Sequence, residues 1–589
     1  TATATRKPAW FTEDNHLRVS SRTRSKSTSD PTADSSALAL IVNTDNSPAD
    51  ARPPPKHHAA AMLEDAAGWT QAEQDEMANH KRNNSFTLLT QTDFERVAPG
   101  RRQIRLIWVY ARKRSGRLKA RLCVQGCAQK PIADYDQTFS ATLRHSSLRI
   151  LSAIAAQRNL LLRRWDFVSA YLQGELEEGE TVYCSPPPGP YAQQGDDGLP
   201  KVWRVDKPIY GLAQAGRRWQ RTLFDWFKTW GLKQCQLDTC VFVRNSSVDT
   251  SNGPREDTLI VGCYIDDLYI AYNSGDAVSL YTKFVLDLQS RWSVEDEGEV
   301  SDLLNVEITR VDGGVELRQT NYINKLLATW LPEGVPPRIQ INSTPHTEEL
   351  PSLALDAVTS KVECSTELKG RYQSLVGSLL YASVCTRPDI TYPVGILCRA
   401  MGSPTSPLFD AALRVLAYLG RHKTVGLRYE PDDTPLAGMS DSSWEVRHST
   451  SGYTFQMNKC TISWASKKQP TIALSSCEAE VVAATEAAKE AVYLDNFVKE
   501  LGYKHYEAQP IHLSLDNQAA IDSSYNAEHH QRTRHIDRKH YFIQELVEQG
   551  RIVVPFVRSD QNLADFFTKP LRPARFFSLR DKIMNVRHP

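Results

Sequence analysis

The run GCYIDDLYIAY (262–272) sets Asp266 and Asp267 side by side among residues that are otherwise apolar or uncharged. Two adjacent carboxylates in an apolar setting cost free energy unless something positive compensates them. Taken alone, the pair reads as an acidic turn before it reads as half of a metal site, and it does not carry the case. A third carboxylate adds weight. Asp166 lies at the end of an apolar-flanked strand in WDFVSAYLQG (165–174), a hundred residues earlier. Three carboxylates at separate strand ends suit two divalent ions roughly 3.5–4 Å apart. One ion lowers the pKa of an attacking hydroxyl; the other holds a triphosphate and its leaving group. Hard oxygen ligands fit Mg²⁺, with Mn²⁺ as the alternative, and no thiolate is needed.

A second acidic set occupies the last third of the chain. LAGMSDSSWE (436–445) reads as a strand carrying Asp441. SSCEAEVVAATEAAKEAVYLDNFVKELG (475–502) reads as a long helix capped by its serines, with Glu480 in the first turns. IHLSLDNQAAI (511–521) is a strand ending at Asp516, and NLADFFTKPL (562–571) carries Asp565 near a helix start. Acids at two strand ends and on facing helices imply a mixed sheet around another two-metal site.

The elements that must hold these acids are legible in outline. A helix is expected near residues 62–84, two strands joined at RSG over 105–128, and a helix over 145–161. RRWQRTLFDWFKTWG has helical aromatic spacing and stops at Gly231. Residues 258–272 read as strand, acidic turn, strand. VEITRVDGGVELRQT is a hairpin with Asp312-Gly313 in its turn. Residues 366–420 are mostly helical, PDDTPL (431–436) marks a break, and a strand-rich unit follows. Residues 1–60, with SRTRSKSTSDPTADSS and ARPPPKHH, read as a linker or tail.

Composition excludes several classes. The 589 residues suit three or four domains, and 41% apolar with 24% charged residues is a globular balance. Net charge is +1, yet Arg101–Lys130 holds ten Lys/Arg and no Asp/Glu, a footprint for phosphates or a solvated basic face. The eleven cysteines form no zinc or disulfide framework. With no long apolar run and no signal-peptide pattern, a soluble intracellular protein is expected. The chain starts without Met, as expected of a piece cut from a longer precursor.

From about Trp69 to Leu571 the chain resembles the reverse transcriptases of copia-type (Ty1/copia) long-terminal-repeat retrotransposons. The ordered motifs that carry the resemblance are KARLCVQGCAQKPIADYDQTFSAT (119–142), WDFVSAYLQGELEEGETVYCSPPPG (165–189), KPIYGLAQAGRRW (207–219), CYIDDLYIA (263–271), GSLLYASVCTRPDITYPV (377–394), STSGYTF (449–455), SWASKKQPTIALSSCEAE (463–480) and LADFFTKPL (563–571).

The resemblance implies an α+β multidomain fold: a right-hand polymerase (fingers, palm and thumb) with a connection, then an α/β ribonuclease H-like domain with a mixed sheet. The implied division is a linker at 1–60, fingers and palm at 61–310, thumb and connection at 311–430, ribonuclease H at 431–575 and a tail at 576–589. It makes Asp166, Asp266 and Asp267 polymerase metal carboxylates, Asp266 the firmer ligand. Lys119 and Arg121 would meet the incoming triphosphate, Tyr171 would pack under the nucleotide sugar and exclude a ribose 2′-hydroxyl, and Gln214 would lie beside the nucleotide. Asp441, Glu480, Asp516 and Asp565 match the ribonuclease H carboxylates. Glu480 is chosen over Glu478 by its spacing to VVA, which leaves Glu478 outside the ligand set. His535 in RTRHIDRKH is an auxiliary candidate or a surface histidine, and Arg532, Arg534, Arg538 and Lys539 would grip the hybrid backbone.

Each site would take two Mg²⁺ ions. The implied partners are an RNA template, a DNA primer and product, the RNA–DNA hybrid and dNTPs. A tRNA-type primer, the integrase of the same precursor and a second copy of the chain are left open, and no membrane is expected. The implied location is the cytoplasm, within virus-like particles. The chain departs from the family at Ala213, Gly216, Asn305 and Ser443. The rival reading is a non-catalytic nucleic-acid scaffold derived from a retroelement, which should have lost carboxylates.

Overall fold

The computed structural model describes residues 54–112, 116–131, 134–250, 253–273, 275–339, 344–360, 363–444, 448–503, 510–525 and 537–588. The chain divides into two compact units: residues 1–74 with 108–121, and residues 75–107 with 122–589. Helix α1 (His58–Arg82), whose residues 58–74 belong to the smaller unit, takes in the last three residues of the segment expected to be tail. Buried Glu73 on that helix accepts from the Tyr110 hydroxyl and pairs with His58 Nδ1 at 2.8 Å. Trp69 packs edge-on against Tyr110 with ring centroids 5.0 Å apart.

Strands β1 (Phe86–Leu89), β2 (Ile104–Arg112) and β3 (Leu118–Val124) precede helix α2 (His145–Gln157) and strand β4 (Leu161–Phe167). The helix expected to reach residue 161 stops at Gln157. Asn159 takes a φ of +50°, and the chain is extended from Leu161. β5 (Val182–Ser185) and β6 (Val202–Val205) pair with each other, β6 pairs antiparallel with β1, and β5 runs parallel to Ile104–Arg105 of β2.

Helix α3 (Ala215–Thr229), strands β7 (Val241–Thr250), β8 (Gly253–Tyr264) and β9 (Asp267–Tyr272), helix α4 (Leu280–Arg291) and strand β10 (Val294–Glu299) complete the sheet that carries the first acidic set. Its order is β10–β4–β9–β8–β7, antiparallel throughout, with Lys233–Gln234 as a short outer strand. Leu268, Tyr269, Ile270 and Ala271 are buried in succession, so β9 is covered on both faces. That explains its unbroken apolar sequence. Phe167 meets Trp219 of α3 edge-on at 4.7 Å.

The expected hairpin is present as β11 (Val306–Val311) and β12 (Gly314–Arg318), with Gly313 in the left-handed region at φ +69°. Helices α5 (Thr320–Trp330), α6 (Thr366–Cys385), α7 (Thr391–Arg399) and α8 (Ser406–Arg421) follow, and β13 (Leu427–Tyr429) returns to β12. The second acidic set lies on a five-stranded mixed sheet. Its elements are β14 (Ala437–Ser443), β15 (Thr450–Met457), β16 (Cys460–Lys468), helix α9 (Ser476–Glu500), β17 (Ile511–Ser514), helix α10 (Asp537–Glu548) and β18 (Ile552–Val553), in strand order β16–β15–β14–β17–β18. β17 lies parallel to both β14 and β18.

The end of the chain corrects the expectation of a tail at 576–589. Helix α11 (Pro573–Met584) buries Phe576, Leu579, Ile583 and Met584. Their i, i+3, i+7, i+8 spacing gives it an apolar face. No helix among the described residues is long and apolar enough to cross a membrane.

Candidate active sites

The first site is built by strand register. β4 and β9 place Asp166 directly opposite Asp267, and paired residues of an antiparallel ladder project to the same face. Asp266 precedes them in the turn and accepts from the Phe167 N–H at 3.0 Å through its carbonyl. Ile265 holds the turn at φ +57°, a costly conformation for a β-branched residue. The indole N–H of fully buried Trp219 donates to the Ile265 carbonyl at 2.8 Å and fixes that turn.

The electrostatics explain how such charge is tolerated. Arg164, two residues before Asp166, donates to Asp267 Oδ1 from Nη2 at 2.8 Å and Nε at 3.1 Å. Its other nitrogen reaches Asp302 Oδ1 at 3.2 Å and Glu297 Oε2 at 3.4 Å. Burial, then Asp266, Asp267 and Glu297, push the Asp166 carboxyl up to about 7. Burial raises Asp267 to about 6, and Arg164 restrains that rise. A pair of carboxyls so poised titrates as a unit and favours a bound cation over two bare charges. Arg164 and Glu297 were not singled out in the sequence. The one available signal was the acidic strand VEDEGE, which becomes β10 beside β4.

The second site is tighter. Asp441, Glu480 and Asp516 each bring one ligand oxygen within 4.8 Å of the others, the one such trio of acidic, His or Cys side chains among the described residues. β14 carries Asp441, α9 carries Glu480, and Asp516 follows β17. Ser475 caps α9 by accepting from Glu478 N–H at 3.1 Å. Glu478 turns back to accept from Leu474 N–H at 2.7 Å, so it serves the helix start. Glu480 accepts from Ser442 through Oε1, while its Oε2 is buried without a hydrogen-bond partner. An orphaned carboxylate oxygen facing two more acids is what a divalent cation would satisfy. Burial, then Asp441 and Asp516, raise Glu480 to about 8. Burial lifts Asp441 to about 7 against the pull of Lys569.

Asp565 is buried nearby but already committed. It pairs with Lys569 Nζ at 2.6 Å and Arg575 Nη2 at 2.7 Å. The Lys569 ammonium also lies 3.8 Å from Asp441 Oδ2, to which the Thr568 hydroxyl donates. The TKPL segment thus brings a cation of the chain's own to the edge of the trio. Gly452 stands opposite Asp441 in the ladder. A Cβ there would lie 2.6 Å from Thr568 Cγ2 and 2.9 Å from Phe567 Cβ, so only glycine lets this segment close on the site.

The expected nucleotide contacts fare unevenly. Lys119 and Arg121 alternate with buried Ala120 and Leu122 on β3, so both project from the same strand face. Tyr171 is half-buried in a short 3₁₀ turn, its ring 4.9 Å from that of Tyr210. Gln214, expected beside the nucleotide, is fully buried at the start of α3. It accepts from Gln129 Nε2 at 3.1 Å and donates to the Asp134 carbonyl at 3.3 Å, so its carboxamide is spent inside the fold. Ala213 N–H also donates to Gln129, at 2.8 Å. Asn305 sits at φ +56°, where asparagine substitutes for glycine at low cost. Ser443 accepts from Thr450 N–H at 3.2 Å and joins β14 to β15. His535, Arg532 and Arg534 lie outside the described residues, as do the side chains of Arg538 and Lys539.

A carboxylate pair at a hairpin turn beside a third acid, and a separate acidic trio on a mixed sheet, define an α+β protein with two carboxylate centres. Residues 93–331 match the family described as reverse transcriptase (RNA-dependent DNA polymerase). Over 526 residues the chain is 31% identical to the retrovirus-related Pol polyprotein from transposon TNT 1-94 of Nicotiana tabacum, a match that covers 87% of this chain and 37% of that protein. It is 32% identical over 498 residues to the Pol polyprotein from transposon RE1 of Arabidopsis thaliana, covering 82% and 32%. A foamy viral protease–reverse transcriptase solved with double-stranded DNA aligns at a TM-score of 0.45 and 14% identity, covering 83% of this chain and 69% of that one. The chain belongs to the reverse transcriptase region of copia-type retrotransposon Pol polyproteins. It spans about a third of the length of those plant polyproteins.

Proposed function

We propose that this chain copies RNA, and then DNA, into DNA at the first site and cleaves the RNA strand of the resulting hybrid at the second. The observation that carries the reading is the coexistence of two separate acidic centres: Asp166 in register with Asp267 beside Asp266, and the Asp441–Glu480–Asp516 trio. A non-catalytic scaffold would have no reason to keep both, because each is expensive to bury unneutralised.

Reverse transcriptases use divalent metal ions. At the first site Asp166, Asp266 and Asp267 would hold Mg²⁺, with Arg164 orienting Asp267. At the second, Asp441, Glu480 and Asp516 would hold it, with Asp565 next to the position Lys569 occupies. Bound there, Mg²⁺ supplies a Lewis acid that eases deprotonation of the attacking oxygen and stabilises charge on the leaving oxygen. The chain's own work is placement. The Trp219-anchored turn keeps the first carboxylates fixed, and α9 and β14 fix the second set. Lys119 and Arg121 supply positive charge for triphosphate oxygens, and Tyr171 sets the steric limit at the sugar.

In this reading residues 61–310 are fingers and palm, 311–430 thumb and connection, and 431–575 the nuclease. Helix α11 extends the nuclease rather than trailing from it. RNA template, DNA primer and dNTPs are the partners, within virus-like particles. Extension of a DNA primer on a labelled RNA template with Mg²⁺ or Mn²⁺ tests the proposal. Primer growth with loss of the RNA behind it is expected. Binding of the hybrid without extension or cleavage would leave the scaffold reading instead.

A further inference from the structure

Arg149 belongs to neither acidic site, yet it is buried on α2. Its Nε donates to the Ile462 carbonyl at 2.7 Å, and Nη1 donates to the carbonyls of Val384 at 2.7 Å and Cys385 at 2.9 Å. The guanidinium stacks over the Trp464 ring with its carbon 4.1 Å from the centroid. Trp464 in turn donates to the Ser383 carbonyl at 3.1 Å. One planar fork therefore ties α2 to α6 and β16 together.

The placement of these elements gives the contact its meaning. α2 runs directly into β4, which carries Asp166. β16 is two strands from β14, which carries Asp441. Few intervening elements separate the two acidic centres along this route, and Arg149 is the bridge. Three further contacts run the same way. Asn458, in the tight turn between β15 and β16, donates to the Ala153 carbonyl of α2 at 2.7 Å. Gln157 at the end of α2 accepts from Asp432 N–H at 2.8 Å. Glu500 at the far end of α9 accepts from Gln236 N–H at 2.9 Å, and Glu480 lies near the start of that same helix. The Arg149 and Asn458 bonds are the buried ones, and buried polar contacts lose their value when geometry slips, so they specify one docking over its neighbours.

We infer that Arg149 is a positioning residue that fixes the distance between the two acidic centres, and so sets how far behind the primer terminus the RNA is cut. The inference rests on the function proposed above. A hybrid is a stiff duplex engaged by both sites, so the separation of the sites is read out as a length of hybrid.

The test uses the full chain on an end-labelled RNA annealed to a DNA primer, with cut positions mapped from the primer terminus. Wild type is expected to give one tight cluster of cuts. Arg149→Met is expected to extend primers and to cleave a blunt hybrid lacking a recessed terminus, while its primer-directed cuts spread or shift along the RNA. Arg149→Lys, which keeps a donor but not the fork, should fall between. Asn458→Ala loosens the same docking from the turn, and it decides the matter should Arg149→Met fold poorly. A cut cluster unchanged in position and width in the folded variants overturns the inference. Absence of any cleavage by wild type overturns the proposed function instead.

Discussion

Replacing Glu480 by Gln should make the metal-free protein more stable at neutral pH while destroying its hybrid cleavage. The Glu480 carboxyl titrates at about 8, against an ordinary 4.5, because it is buried beside Asp441 and Asp516. A carboxyl with a raised folded pKa stabilises fully below its unfolded pKa, and that stability is lost as pH rises towards the folded value. At ~1.4 kcal/mol per pH unit, holding this group folded from pH 4.5 to about pH 7 costs on the order of 3 kcal/mol. Gln carries no charge and still accepts from Ser442, whose hydroxyl lies 3.0 Å from Oε1. Its amide N–H would face the neighbouring carboxylates in place of the orphaned Oε2. Thermal unfolding in EDTA should therefore separate the variant from wild type near neutral pH, with Glu480→Gln the more stable, and the two should converge near pH 4. Added Mg²⁺ should narrow the gap, because the first site binds it in both proteins while only wild type keeps the complete trio at the second. A variant less stable than wild type in EDTA at neutral pH would refute the reasoning, because it would mean the trio is not under electrostatic strain.

Lys569→Met removes the ammonium 3.8 Å from Asp441 Oδ2 and 2.6 Å from Asp565 Oδ1. It should weaken the metal-free fold and tighten divalent binding at the second site by about tenfold or more, since a unit charge at 4 Å is worth ~4 kcal/mol at an effective dielectric near 20. Mn²⁺ titration followed by electron paramagnetic resonance, in an Asp266→Asn background, measures it, and unchanged affinity would count against it. Arg164→Ala strips Asp267 of its partner. Both side chains are about one-fifth exposed, so the cost should be ~2 kcal/mol rather than the 3–5 of a fully buried pair. Because Arg164 holds the Asp267 pKa down, the Mg²⁺ requirement of primer extension should move to higher pH, and an unshifted profile would contradict that role.

The acids and their strands were readable because local chemistry dictates them. An apolar run broken by two aspartates has few outcomes but a hairpin turn, and Asp312-Gly313 turns where its φ requirement says. The same holds for Ser475, where capping suffices, whereas Glu480 is told from Glu478 only through the resemblance. The counter-charges were not readable. Arg164 meets Asp267 through β4–β9 register, and Glu297 joins them through β10. Lys569 lies one turn after Asp565, yet its approach to Asp441 depends on Thr568 and Gly452 closing together. Gln214 is named from the resemblance alone, and polar side chains seldom go inside. Only the Gln129 and Asp134 contacts reveal why this one does. Helix α11 was mistaken for a tail because a short, arginine-rich segment declares its apolar face only against a partner.

The most direct test of two separate centres is a paired assay of Asp266→Asn and wild type on one RNA template with a DNA primer and Mg²⁺. Asp266→Asn should abolish primer extension and leave cleavage of a preformed hybrid intact, because the trio at the second site is untouched. Full extension by Asp266→Asn would contradict the account at its centre.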